Sequence, residues 1–203
     1  MIRFFLSIVL IFAAATGLGL ARFGGIHTLK HQTEELTALM AELPYISPGI
    51  SDEKVLYEIS FRTCPACMAY HKTEFPKLQK MGVDTRLFMF AQGRKHTPPE
   101  ERAVIAELYQ NRSWQLLEDW LAPSNPRSFY ATMRNIPPAD GNRKRTRLVQ
   151  SGQEQFSRLG DILQANKINI ATPILIWQGQ DGQWKVVVGN SPLTNMLIRR
   201  DLK

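Results

Sequence analysis

The chain contains two cysteines, and they stand three positions apart as Cys64-Pro65-Ala66-Cys67. A pair at this spacing suits thiol–disulfide exchange or a metal. Two cysteines are too few for a disulfide-stapled fold. A structural zinc needs about four ligands, and no second C-x-x-C or H-x-x-H pair is present. Redox chemistry is therefore favoured. The attacking species is a thiolate, which free backbone N–H groups and the helix dipole stabilise at a helix N-terminus. Pro65 suits the first helical turn, where its missing N–H would be unpaired anyway. Cys64 reads as the nucleophile. Cys67, one turn on, is the more buried resolving thiol, close enough to close a Cys64–Cys67 disulfide.

The elements around the pair fit this use. Val55–Phe61 alternates and is rich in β-formers, so it reads as a strand leading into Cys64. A helix follows over about 65–81, then a strand over 83–90. From Thr97 to about Asn166 the pattern is helical. Pro98-Pro99-Glu100-Glu101 marks a start and Gln150–Gln164 the last helix. Ile174–Trp177 and Trp184–Val188 read as strands joined near Asp181-Gly182, and Asn190-Ser191-Pro192 opens a closing helix over 193–202. The order β–α–β, helical block, β–β–α is an α/β thioredoxin-like core, a mixed sheet flanked by helices, with an insertion over about 97–166.

The amino terminus reads in two ways. Residues 4–21 are uncharged and apolar, with Arg3 before and Arg22 after. They form either a cleaved signal peptide or a short signal-anchor helix, and both carry the rest of the chain across a membrane. Residues 1–22 are thus a targeting segment. Residues 23–50 are an amphipathic helix over Thr28–Leu43 plus a turn-rich linker, packed on the domain rather than acting as a stalk. The domain itself covers 51–203.

The net charge of +7 reads as a solvated basic surface. Arg143-Lys144-Arg145 has no interleaved aromatics, which argues against nucleic-acid binding. His71 reads as a helix-surface residue, and Met68, Met89, Trp114, Trp120 and Trp177 as packing. Two other function classes remain: a thioredoxin-fold copper carrier using Cys64, Cys67 and His71, and an assembly factor docking a partner through the insertion.

The chain resembles bacterial periplasmic thioredoxin-fold proteins, particularly the catalytic domain of the DsbC/DsbG disulfide isomerase family, over roughly residues 53–203. The resemblance rests on Cys64-Pro65-Ala66-Cys67 after a strand, on Ala171-Thr172-Pro173-Ile174-Leu175-Ile176, and on Val186-Val187-Val188-Gly189 before a Pro-started helix. It implies a cis Thr172–Pro173 bond beside the disulfide, with Thr172, Pro173, Pro65 and Ala66 facing the client chain. It implies no cofactor, exported clients with thiols or disulfides, and a membrane or periplasmic thiol partner. About 30 residues separate the apolar segment from the first strand, leaving no room for the isomerases' dimerisation domain. Oxidoreductase is accordingly the safer expectation than isomerase. Glu58, six positions before Cys64, resembles the buried acid of the thioredoxin and DsbA branches. There it relays a proton to or from Cys67.

Overall fold

A computed structural model describes residues 25–133 and 135–203; the apolar segment 4–21, and with it both readings of that segment, lies outside them. No helix among the described residues is long and apolar enough to cross a membrane.

Five strands form one mixed sheet in the order β1-β5-β4-β2-β3. Strand β2 (Val55–Ser60) is buried from its second residue onward. It pairs parallel with β3 (Asp84–Met89) and antiparallel with β4 (Ile174–Gln178). A strand paired on both edges and covered on both faces reads as a near-continuous apolar run, and Leu56, Tyr57, Ile59 and Phe61 supply one. β4 pairs antiparallel with β5 (Trp184–Val188), through a turn in which Gly182 takes a positive φ.

The helical block between β3 and β4 comprises α3 (Pro99–Asn111), α4 (Trp114–Leu121), α5 (Pro126–Tyr130) and α6 (Arg143–Ala165). α2 (Pro65–Lys80) follows the cysteine turn, and α7 (Pro192–Asp201) closes the chain. The matching order of elements gives the expected thioredoxin-like core with a helical insertion.

Four local expectations change. The amphipathic helix begins late, as α1 (Thr33–Glu42). Before it, His27–Thr28 forms a short strand, β1, on the edge of β5, and Leu29 N–H bonds Trp184 O. The amides of Lys30 and His31 both bond Asn166 Oδ1, which pins the chain extended. Tertiary pairing here overrides helical spacing. Leu36, Leu39 and Met40 then enter the main core. The linker after α1 is also tied down. Ile46 bridges Leu87, and buried Asp84 accepts from Ser47 Oγ and Ile50 N–H.

The last insertion helix starts at Arg143 instead of Gln150, because the Asn142 side chain caps it. The basic run therefore belongs to its first turns. Arg145 is not solvated surface. It is buried, with its guanidinium on Glu107 Oε2 at 2.7 Å and Ala103 O at 2.8 Å.

α6 meets α3 where Gly152 leaves room for Tyr109, whose hydroxyl donates to Met89 O at 2.7 Å. A Cβ on Gly152 would overlap the Tyr109 ring and hydroxyl. Gly152→Ala should therefore destabilise by about 1–3 kcal/mol, although alanine is ordinarily the better helix former by about 1 kcal/mol. Thermal unfolding reads the difference. A variant as stable as the parent would show that this contact does not constrain the core.

Candidate functional site

β2 runs out at Ser60, and the chain turns through Phe61, Arg62 and Thr63, with Cys64 N–H bonded to Phe61 O at 3.1 Å. Cys64 is the N-cap of α2 and Pro65 its first residue. Cys64 and Cys67 are joined as a disulfide, the oxidised state of the pair. Two donors point at Cys64 Sγ: the Cys67 N–H at 3.1 Å and the Thr172 hydroxyl at 3.4 Å. Thr172 O lies 3.8 Å from the same sulfur. The Thr172–Pro173 bond is cis. The register Ile59↔Ile174 places this loop beside the cysteine turn.

These donors fit a thiolate. Once the disulfide is reduced, a charged Cys64 sulfur would already have an amide and a hydroxyl in place. Hydrogen bonds to the charged form favour it. Cys64 retains 4% exposure and Cys67 none, so the two sulfurs differ in the sense expected of attacking and resolving thiols. Pro65 and Ala66 are exposed beside them. The Asn190 side chain donates to Ala66 O at 3.3 Å and accepts from Asn195 at 2.8 Å, joining the start of α7 to the motif.

Glu58 is fully buried on the face of β2 shared with Leu56 and Ser60. Neither carboxylate oxygen has a hydrogen-bond partner. Burial raises its pKa well above the usual carboxylate range. Burial thus favours the protonated carboxyl. Tyr70, one turn after Cys67 on α2, has its phenol pushed up chiefly by burial.

His71 is not the surface residue expected. It is half-buried against Phe75, with ring centroids 4.3 Å apart, and its Nε2 has no partner. Burial, then the charge of Arg62, draws its pKa down to about 4. Trp120 and Trp177 are core side chains, as read.

Two clefts lie near the site, one lined by Cys64 and the other by Thr172. One, of about 740 Å³, is lined by Cys64, Pro65, Met68 and His71 on one side and by Leu121 and Pro123 of the insertion on the other. The second, of about 590 Å³, lies between Thr172 and the rings of Phe61, Phe90 and Phe156. Sequence reasoning passed over Arg62, Phe156, Asn190 and Glu101. Only Arg62 carried a usable signal, as a cation two residues before the first cysteine.

No family model matches this sequence, and no curated protein matches it. Solved structures do. The chain superposes on the catalytic domain of Proteus mirabilis ScsC with a TM-score of 0.57 at 14% identity, over 84% of this chain and 96% of that one. It superposes on the thiol-disulfide exchange protein alpha-DsbA2 from Wolbachia pipientis with a TM-score of 0.52 at 12% identity, over 83% and 91%. The likeness establishes a thioredoxin-like fold. It does not support the narrower DsbC/DsbG assignment.

Two buried groups give opposite pH dependences. The unfolded chain loses the Glu58 proton near its ordinary value of 4.5, while the folded chain keeps it. That contribution to stability is full below 4.5 and is lost as pH rises toward the folded value. The unfolded chain gains a His71 proton near 6.5, while the folded chain resists to about 4. That contribution is present above 6.5 and is lost as pH falls through this window. In urea unfolding across pH, Glu58→Gln should flatten the alkaline limb and His71→Gln the acid limb. Unchanged limbs would show that these groups titrate normally in the fold.

Proposed function

We propose that this chain is a dithiol–disulfide oxidoreductase acting on exported proteins. The observation that carries the reading is the gathering of Thr172 and the α2 N-terminus around Cys64 Sγ. The catalytic role of Glu58 is supported by its burial without a partner on the strand that leads into the cysteine turn.

In the reducing direction the Cys64 thiolate attacks one sulfur of a client disulfide. The client S–S bond breaks, a Cys64–client S–S bond forms, and one client thiolate leaves. Glu58 relays the Cys67 proton, passing its own to the departing client thiolate as it takes up that of Cys67, and the Cys67 thiolate attacks Cys64 Sγ. The second client thiolate then leaves, and two electrons have passed from the dithiol to the client. The oxidising direction is the same path reversed, and a membrane or periplasmic thiol partner resets the pair. Thr172 and Pro173, with Pro65 and Ala66, offer the edge along which a client backbone lies. The apolar rings of Phe61, Phe90 and Phe156 border that edge.

The donors aimed at Cys64 Sγ stabilise the thiolate, and with it the reduced form. Stabilising the reduced form makes a disulfide a stronger oxidant. We therefore favour disulfide donation, with a reduction potential above the thioredoxin value of about −270 mV. The named activity of the Wolbachia neighbour, thiol–disulfide exchange, agrees with the reading. The targeting character of residues 4–21 suggests the periplasm, either free or tethered to the inner membrane.

Purified protein should catalyse disulfide exchange with reduced or oxidised model substrates, and Cys64→Ser should fall to the uncatalysed rate. Cys67→Ala should accumulate mixed disulfides through Cys64, seen on non-reducing gels. A Cys67→Ala protein that traps nothing, or a Cys64→Ser protein that keeps its rate, would sink the proposal. Equilibration with glutathione reads the potential, and a value at or below that of thioredoxin would reverse the favoured direction.

A further inference from the structure

Arg62 stands in the turn between β2 and Cys64, and its side chain is 4% exposed. Both of its hydrogen bonds go to main-chain carbonyls rather than to a carboxylate. Nε donates to Trp120 O at 3.3 Å, and an Nη donates to Pro123 O. Those carbonyls lie at and just beyond the C-terminal end of α4. The last carbonyls of a helix lack intrahelical partners and carry the negative end of its dipole. One guanidinium therefore fastens the insertion to the cysteine turn across the larger cleft, whose lining includes Arg62, Cys64 and Pro123.

We infer that Arg62 is a positioning residue for the exchange reaction: it holds the α4–α5 wall of the cleft against the Cys64 turn and places a fixed positive charge beside the attacking sulfur. The inference rests on the reading of Cys64 as the nucleophile. A planar guanidinium suits both tasks, since it spans two acceptors and stays charged when buried. Lysine can supply the charge but has one compact ammonium, which does not bridge the two carbonyls in the same way.

Other charged groups face this region. On α2 they are His71 and Lys72, on α3 Glu101, on α4 Glu118, and on α5 Tyr130. Glu58 lies on β2, before the turn. His71 is neutral above about pH 4. Glu101 is the group that titrates inside the working range. Burial pushes its carboxyl up to about 7, against the pull of Arg62 and Arg102.

The test measures alkylation of the reduced full-length protein by iodoacetamide as a function of pH, which needs no client. Fully buried Cys67 contributes little, so the midpoint reports the Cys64 thiolate. Arg62→Met should raise that midpoint by about one pH unit, and the shift should persist in a Glu101→Gln background. Arg62→Lys should keep the parent midpoint. Both variants should speed amide exchange at Leu121 and Ala122 by about tenfold. A folded Arg62→Met protein with the parent midpoint overturns the charge, and parent-like exchange in Arg62→Lys overturns the fastening. Should Arg62→Met fail to fold, Arg62→Lys decides alone: faster exchange at the parent midpoint supports the inference, and any other result overturns it. Failure of client exchange would leave these measurements intact, so the two readings fail separately.

Discussion

The double pairing of β2 is the constraint on which the site depends. Its parallel ladder with β3 and its antiparallel ladder with β4 fix the strand on both edges. One consequence is that a carboxyl on its inward face has no route to water, and Glu58 is held dry. A second is that the strand ends at a defined point, so the turn carrying Cys64 has a fixed origin. A third is that β4 begins beside that turn, which sets Thr172 against a sulfur 108 residues earlier in the chain. Local helix chemistry prepares the thiolate, but the ladder brings the second donor.

Polar groups around this strand are held out of water in different ways. Glu58 is left without partners, and burial favours its protonated form, while Arg62 is satisfied by helix-end carbonyls and stays charged. His71 packs at a tilt against Phe75 and is kept neutral above about pH 4. Burial costs charged groups heavily unless something compensates, so each arrangement fixes a protonation state. The result is a neutral acid before the motif and a cation on its insertion side. That asymmetry suits a pair whose first sulfur ionises and whose second must lose and regain a proton.

Much of this was legible in the sequence. The alternation of Val55–Phe61, the Pro65 start of α2 and the order of strands follow from local chemistry, and so does the placement of the two cysteines. What was not legible depends on distant partners. The stretch at His27–Thr28 looked helical because Ile26 and Leu29 sit at helical spacing, yet β5 and Asn166 claim it. Arg145 looked solvated because its run is basic, yet Glu107 and Ala103 bury it. His71 looked exposed because α2 has a polar face, yet the insertion covers part of that face. The charge of Arg62 two residues before Cys64 was visible, but its fastening role was not, since its acceptors are backbone carbonyls, which have no residue signature.

The β2–β4 ladder also bears on the order of assembly. β2, α2 and β3 are close in sequence and can associate early, whereas β4 must wait until the whole helical block lies between them. Loop closure over such a span is entropically costly and slows non-local pairing. The Cys64 sulfur therefore acquires its Thr172 donor only when the last large piece of the chain has docked. An incompletely folded molecule carries the two thiols but lacks the environment that sharpens them. Reactivity in this architecture is a late property of folding, and a nascent chain is correspondingly less able to attack its neighbours.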